Sequence, residues 1–305
     1  MVSTVYDPYA NARPAVDPVG SVTTSSMTTA DGRERRYRTY VPASIVAGEK
    51  VPLLVALHGG LGWGEQFEAN SGFDGLAESN HFIVVYPDGT NGQAGSTKFL
   101  TWNGGMCCGP AVAQNVDDVG FIRQILNELK QTLPVDSERV FASGHSNGAI
   151  LAYRLACELS DQISAIGVQA GVLGVSCSPT NPVSVFHLHG LADTNIPIDG
   201  GKGSGVAGVS FPSPREAPVA FAKSNGCTQG PVDQRDPANP DVSSRIWASC
   251  SSARAVQFVT VAGASHAWMG HAGTAAGATG LVGTPYQGLD ASRAIWSFLA
   301  AQPAR

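Results

Sequence analysis

Residues 139–151 read Arg-Val-Phe-Ala-Ser-Gly-His-Ser-Asn-Gly-Ala-Ile-Leu. A short apolar run enters Gly144-His145-Ser146-Asn147-Gly148, and helix-forming residues follow. The stretch predicts a buried strand, a tight turn with Ser146 at its tip, and a helix. Glycines at 144 and 148 make room where strand meets helix almost without a loop. The turn leaves the Ser146 hydroxyl at the carboxyl end of a sheet, beside the unpaired first amides of the helix. In a chain with 36 glycines the five-residue pattern alone carries little. Its setting between strand and helix is what gives it weight.

Other segments extend the same pattern outward. Val51–His58 and Phe82–Tyr86 are continuous apolar runs suited to strands buried on both faces. Ile163–Ala170, Val183–His189 and Ala255–Val261 read alike. Asp117–Leu133 places Val119, Ile122, Leu126, Leu129 and Leu133 on one helical face, with acids at its amino end. The helix after the turn is expected over Ala149–Leu159, and a closing helix over Leu289–Ala300. Strands alternating with helices predict an α/β fold with a mostly parallel sheet covered on both faces. Residues 1–25 lack periodicity and are expected as a flexible surface segment, with one domain over 26–305. Arg33–Val41 is expected as an early strand. Its arginines (33, 35, 36 and 38) are read as a solvated face rather than an anion-binding patch.

Composition narrows the function classes. The 305-residue chain is 43% hydrophobic and 14% charged, fitting a compact domain. A net charge of −5 gives no general attraction to nucleic acid or anionic membranes. No apolar run reaches membrane-spanning length. Six cysteines lean towards an oxidising compartment. Met1–Gly20 has no secretory leader pattern, so the sequence is read as the mature part of an exported protein. Nothing in it sets an oligomeric state.

A serine hydroxyl needs a base within reach, and the base needs an acid to hold its tautomer. Two further strand ends carry those residue types. The strand ending at His189 runs into Gly190-Leu191-Ala192-Asp193, and the strand ending at Val261 into Gly263-Ala264-Ser265-His266. Ser146, Asp193 and His266 therefore form the candidate catalytic set. Asp193 is preferred to Asp199, which lies further along the same loop, and to Asp88, which follows an earlier strand; His266 is preferred to His271, which lies deeper in a Gly/Ala-rich loop. The backbone amides of Asn147 and Gly60 are the candidate oxyanion donors. His187 and His189 alternate on one strand, but no third ligand is spaced to complete a metal site. No metal or organic cofactor is required. Trp102 and Trp268 are candidate aromatic walls for substrate. His145 is expected to border that site, packing or orienting rather than titrating.

The chain resembles the polyhydroxybutyrate depolymerase and feruloyl/acetylxylan esterase group of α/β-hydrolases. The resemblance rests on LHGG at 57–60, WNGGMCCGP at 102–110, NVDDVGFI at 115–122, GHSNGAILAYRLACE at 144–158, HGLADTNIP at 189–197 and HAW at 266–268. It runs from about residue 30 to 300 and implies Ser146, Asp193 and His266 as a triad in an extracellular or periplasmic esterase. The implied partner is a polymeric or oligomeric ester. Two departures bear on substrate: Met269 stands where many members have proline, and Gly60 where many polyester depolymerases have cysteine. Hydrolases of poly(aspartic acid) share the resemblance and give an amide-cleaving alternative, whose polyanion would want a cationic rim from Lys202 and Arg215. A non-catalytic binding protein on the same scaffold is the alternative of another class. Cys227 and Cys250 are expected to pair. Cys107 and Cys108 are each expected to reach Cys157 or Cys177.

Overall fold

In the strand Val51–Leu57 every residue is buried, and successive side chains go to opposite sides. Leu53, Val55 and Leu57 enter one hydrophobic cluster, while Leu54 and Ala56 enter another. That alternation is the period of an extended chain with helices on both faces. The computed structural model describes residues 7–46, 48–93, 95–272 and 279–305.

The elements in order are β1 (Ser21–Thr28), β2 (Glu34–Val41), β3 (Val51–Leu57), α1 (Gly64–Ser71), α2 (Phe73–Asn80), β4 (Ile83–Pro87), α3 (Gly109–Ala113) and α4 (Asp118–Thr132). Then come β5 (Val135–His145), α5 (Asn147–Glu158), β6 (Ala165–Gln169), β7 (Ser184–Gly190), β8 (Gly201–Lys202), β9 (Ser210–Phe211) and α6 (Glu216–Ser224). β10 (Gln229–Arg235), β11 (Val242–Ala248), β12 (Val256–Val261), α7 (Thr279–Val282) and α8 (Ala291–Ala300) complete the described chain. Ten strands form one sheet in the order β1-β2-β4-β3-β5-β6-β7-β12-β11-β10. The six central strands, β4 to β12 in that order, run parallel; β1–β2 and β11–β10 close the edges antiparallel.

Helices α4, α5 and α6 cover one face, contributing residues such as Ile122, Leu151 and Phe221 to the first cluster. α1, α2 and α8 cover the other through Phe67, Leu76 and Trp296. Asp117 caps α4 by accepting from Gly120 N–H at 2.8 Å, and Asp290 caps α8 from Arg293 N–H at 2.9 Å.

Three differences from the sequence reading have plain causes. β1 starts at Ser21, within the stretch expected to lack structure, because SVTTSSMT is mostly exposed and pairs along its whole length with β2. β10 and β11 were not expected at all. Six of the seven β10 residues are exposed, and Pro231 interrupts them, so no apolar signal marks the strand. Arg35 is not on a solvated face.

Arg35 is 4% exposed and donates to Asp118 at 2.7 Å and to the Asp88 carbonyl at 3.0 Å. The other three arginines of that stretch, Arg33 just before β2 and Arg36 and Arg38 within it, pair with Asp31, Asp88 and Glu68 respectively. The Asp118 carboxylate also accepts from Asn103 N–H at 2.7 Å, tying the 102–103 loop to α4. Removing one partner of a buried pair leaves the other charge uncompensated. Arg35→Met is therefore expected to destabilise the fold by about 3–5 kcal/mol. A urea titration checks this, and a midpoint equal to wild type would contradict it.

Candidate active site

Ser146 sits at φ 54°, ψ −118°, where side chains are rarely accommodated. Such a backbone costs roughly 1–3 kcal/mol and persists only where the surroundings enforce it. The two flanking glycines do so by sterics. A Cβ on Gly144 would lie 2.5 Å from the Gly148 carbonyl carbon, and one on Gly148 only 2.4 Å from the Leu57 and His58 oxygens. The start of α5 can lie this close to strand β5 and to the end of β3 only through glycine.

The β7 and β12 ends bring the other two candidates to the same edge. His266 Nε2 lies 2.8 Å from Ser146 Oγ, and His266 Nδ1 lies 2.7 Å from Asp193 Oδ2. A carboxylate only accepts, so Nδ1 carries the proton and Nε2 is free to receive one from the hydroxyl. His266 and Asp193 are 3% and 4% exposed, while Ser146 is partly open. Burial pushes the Asp193 carboxyl up. The hydrogen bond and charge of His266 outweigh it, with His189 and the Ile196 amide adding to the same side, and the net value lies below the usual carboxylate range. Asp193 Oδ1 accepts from Asn195 N–H at 2.8 Å and Ile196 N–H at 2.9 Å. The rivals go elsewhere: Asp88 binds Arg36 and Gly64 N–H, Asp199 binds Arg215, and His271 faces Asp290.

Across the turn, a Cβ on Gly60 would stand 3.6 Å from Asn147 Cβ, so the two backbone segments are neighbours. His58 shapes this loop. Its Nε2 accepts from Gly89 N–H at 3.0 Å, so Nδ1 carries the hydrogen donated to the Gly59 carbonyl at 2.8 Å. Gly62 N–H holds the same oxygen at 3.0 Å. In a planar trans peptide, anchoring the Gly59 carbonyl turns the Gly60 N–H the opposite way. Neither the Gly60 nor the Asn147 N–H has a protein acceptor among the described residues. Two unpaired donors beside a hydroxyl–imidazole–carboxylate line can stabilise an oxyanion formed by attack on a carbonyl.

His145 is 9% exposed and donates Nε2–H to the His266 carbonyl at 2.7 Å. Burial holds its pKa down to about 3, so it acts as a neutral brace behind the His266 loop. Trp102 and Trp268 do not stand as open walls. They are 0% and 2% exposed, and their indole N–H groups go to the His58 carbonyl (2.9 Å) and Ser292 Oγ (3.0 Å). Trp268 packs edge-on against Phe67 and Phe73 in the second cluster.

Gln169 was missed by the sequence reading. Fully buried at the end of β6, it donates to the Ala267 carbonyl at 2.9 Å and accepts from Met269 N–H at 3.1 Å. Its backbone carbonyl holds Ser146 N–H at 3.0 Å. One residue thus ties the serine turn to the histidine loop. The signal for it is a lone amide side chain ending an otherwise apolar strand. Asn147 was singled out for its backbone, yet its side chain also works. Oδ1 accepts from Trp102 N–H at 2.7 Å and Nδ2 donates to the Trp102 carbonyl at 3.0 Å.

The cysteine pairing differs in part. Cys227–Cys250 forms as expected, but Cys157 pairs with Cys177, and Cys107 with Cys108. The reason is distance. Cys107 belongs with Asn147 and Ile150 at the start of α5. Cys157 lies nearly three turns further along, about 15 Å away at helical rise. A disulfide spans a far shorter gap. Met106, Cys107, Cys108, Ile150, Ile196 and Phe211 form part of a small apolar cluster at this end of the helix. Among the described residues no group of three or more His, Cys, Asp or Glu side chains is arranged to hold a metal ion, and no helix is long and apolar enough to cross a membrane.

Comparison with known proteins adds to this geometry. The profile of the family described as "Esterase PHB depolymerase" matches residues 35–201, more than half of the chain. Feruloyl esterase B of Piromyces equi is 29% identical over 241 residues, covering 76% of this chain and 42% of that protein. The chain thus spans less than half of that relative's length. Among solved structures, the CE1 ferulic acid esterase of Anaeromyces mucronatus superposes with a TM-score of 0.58 at 15% identity, covering 97% of this chain and 95% of that one. The acetyl xylan esterase of Aspergillus awamori does so at 0.57 and 16% identity, covering 79% and 93%. At these identities the two structures speak for the fold.

Proposed function

The chain belongs to the esterase PHB depolymerase family, on the α/β-hydrolase fold, and from that premise we propose that it is a secreted serine hydrolase of carboxylic esters carried by an extracellular polymer or its oligomers. The observation that carries this reading is the unbroken line from Ser146 Oγ through His266 to Asp193, with bonds of 2.8 and 2.7 Å. His266 Nε2 takes the hydroxyl proton as Ser146 attacks the ester carbonyl. The oxyanion is received by the N–H groups of Gly60 and Asn147. Protonated His266 then passes its proton to the departing alkoxide, leaving an acyl-enzyme. A water molecule, activated by the same imidazole, releases the acid and restores Ser146. Asp193 stays ionised and holds the imidazolium as it forms.

Three features support the choice of substrate and compartment. The apolar cluster that includes Ile150 begins one turn along α5 from Ser146, and its partly exposed members Met106 and Cys108 leave apolar surface there, which suits an uncharged acyl group. Of the two rim cations a polyanion would need, Lys202 and Arg215, the second is paired at the surface with Asp199 at 3.3 Å, and the relatives are named as esterases. This favours esters over poly(aspartic acid). All six cysteines are paired, in keeping with an oxidising compartment. The relatives' names favour feruloyl and acetyl esters of polysaccharide; the family's own description keeps hydroxybutyrate polyesters as a second reading. One panel of feruloyl, acetyl, hydroxybutyrate and β-aspartyl substrates tests this. Turnover of the feruloyl and acetyl esters is expected, with no cleavage of the β-aspartyl amide. Faster cleavage of that amide would overturn the reading.

A further inference from the structure

The mechanism proposed above leaves a line of buried polar side chains with no task. Tyr153 on α5 and His187 and His189 on β7 are all 0% exposed. Tyr153 Oη lies 2.7 Å from His187 Nδ1, and His187 Nε2 lies 3.1 Å from His189 Nδ1. His189 Nε2 lies 2.9 Å from the Ile196 carbonyl oxygen and 3.5 Å from Asp193 Oδ2.

The far end of the line fixes every proton in it. A carbonyl oxygen can only accept, so His189 carries its hydrogen on Nε2, and its Nδ1 is a lone pair. His187 must then donate from Nε2, which leaves its own Nδ1 as acceptor. Tyr153 therefore donates. Three hydrogen bonds run in one direction, from α5 towards the loop after β7, and each polarises the next. Burial, with repulsion from His189 on His187 and from His266 and Arg215 on His189, holds His187 well below its ordinary pKa and His189 down to about 4, so both rings are neutral near pH 7. The charged or titratable groups acting on His189 are Asp193, His266 and Arg215, with His187 hydrogen-bonded to its Nδ1.

We propose that His189, its tautomer locked through His187 and Tyr153, is a positioning residue for Asp193. The inference rests on the triad reading given above. His189 grips the carbonyl of Ile196, whose N–H is one of the two that hold Asp193 Oδ1. At 3.5 Å its contact with Oδ2 is too long for a full hydrogen bond. That oxygen is thus left to His266. The line keeps the 193–196 turn in the one arrangement that presents Oδ2 to the imidazole.

The test uses the full chain and a soluble aryl ester. His189→Leu keeps bulk and removes the donor; His189→Gln returns an N–H near the position of Nε2. In His189→Leu, kcat is expected to fall on the order of 10-fold, the lower end of the loss when a side chain that orients a metal-ligating histidine or carboxylate is removed, with KM unchanged. A loosened Asp193 stabilises imidazolium less, so the acid limb of the kcat/KM profile moves to lower pH. His189→Gln recovers most of both. Wild-type kcat and acid limb in His189→Leu would overturn the proposal, as would a fall in kcat with no shift of the limb. Should His189→Leu fail to fold, Tyr153→Phe interrogates the same line from its other end: a smaller shift in the same direction is expected, and an unmoved limb counts against the proposal. Reaction of wild-type Ser146 with a fluorophosphonate separates the two levels. If Ser146 reacts and the His189 variants match wild type, the positioning role alone fails; if Ser146 does not react, the triad reading fails.

Discussion

Ser146→Ala is expected to lower turnover of a soluble aryl ester by roughly 10⁴-fold or more, the scale of losing the nucleophile from a serine–histidine–aspartate site. The fold should survive. Ser146 is the residue before the first turn of α5, makes no capping side-chain hydrogen bond, and sits at a positive φ that alanine shares the strain of adopting. The unfolding midpoint should stay near wild type while the rate collapses. The two readouts together matter. A folded variant that keeps a tenth of wild-type turnover would speak against Ser146 as nucleophile. The residual rate reports the donors left behind, since Gly60 and Asn147 N–H groups do not depend on the hydroxyl.

A steep loss of stability in mild acid is the second large effect. His58, His145 and His189 are buried and neutral, with burial lowering their pKa values to about 4, 3 and 4. Each has a folded pKa below its unfolded value near 6.5, so the unfolded chain binds more protons as the pH falls through that value. Stability is therefore full above about pH 6.5 and declines towards pH 4. Each such histidine costs about 1.4 kcal/mol per pH unit once the unfolded form titrates fully. Three acting together amount to several kcal/mol per unit. Asp193 adds to the loss lower still: its folded pKa is depressed, so its contribution is present above the ordinary carboxylate value and disappears as the pH falls through the folded one. Urea midpoints measured from pH 8 to pH 4 should fall sharply below about 6.5. A flat profile between pH 7 and pH 5 would contradict buried neutral histidines at these positions.

Sequence carried the central sheet and the serine turn because both are written in local chemistry. Val51–Leu57 and Ser184–Gly190 are apolar runs that can only be buried, and Gly144 and Gly148 are required by close approach of the backbone. What it withheld depended on partners remote along the chain. Trp102 and Trp268 lie beside the site in sequence, but their N–H acceptors, at His58 and Ser292, decide that they face the core. Arg35 looks like its exposed neighbours until Asp118, on another element, is placed against it. The neighbouring cysteines are expected at Cys157 or Cys177 because sequence does not say which end of α5 their loop meets. β10, polar and broken by Pro231, gave no pattern at all; only pairing with β11 makes it a strand.

Covalent labelling of wild-type protein with a fluorophosphonate, followed by peptide mass spectrometry, tests the central claim most directly. The account predicts a single adduct, on Ser146, that abolishes ester turnover and is not formed in His266→Ala at comparable rate. An adduct on Ser265 instead, or full turnover with Ser146 unmodified, would contradict it.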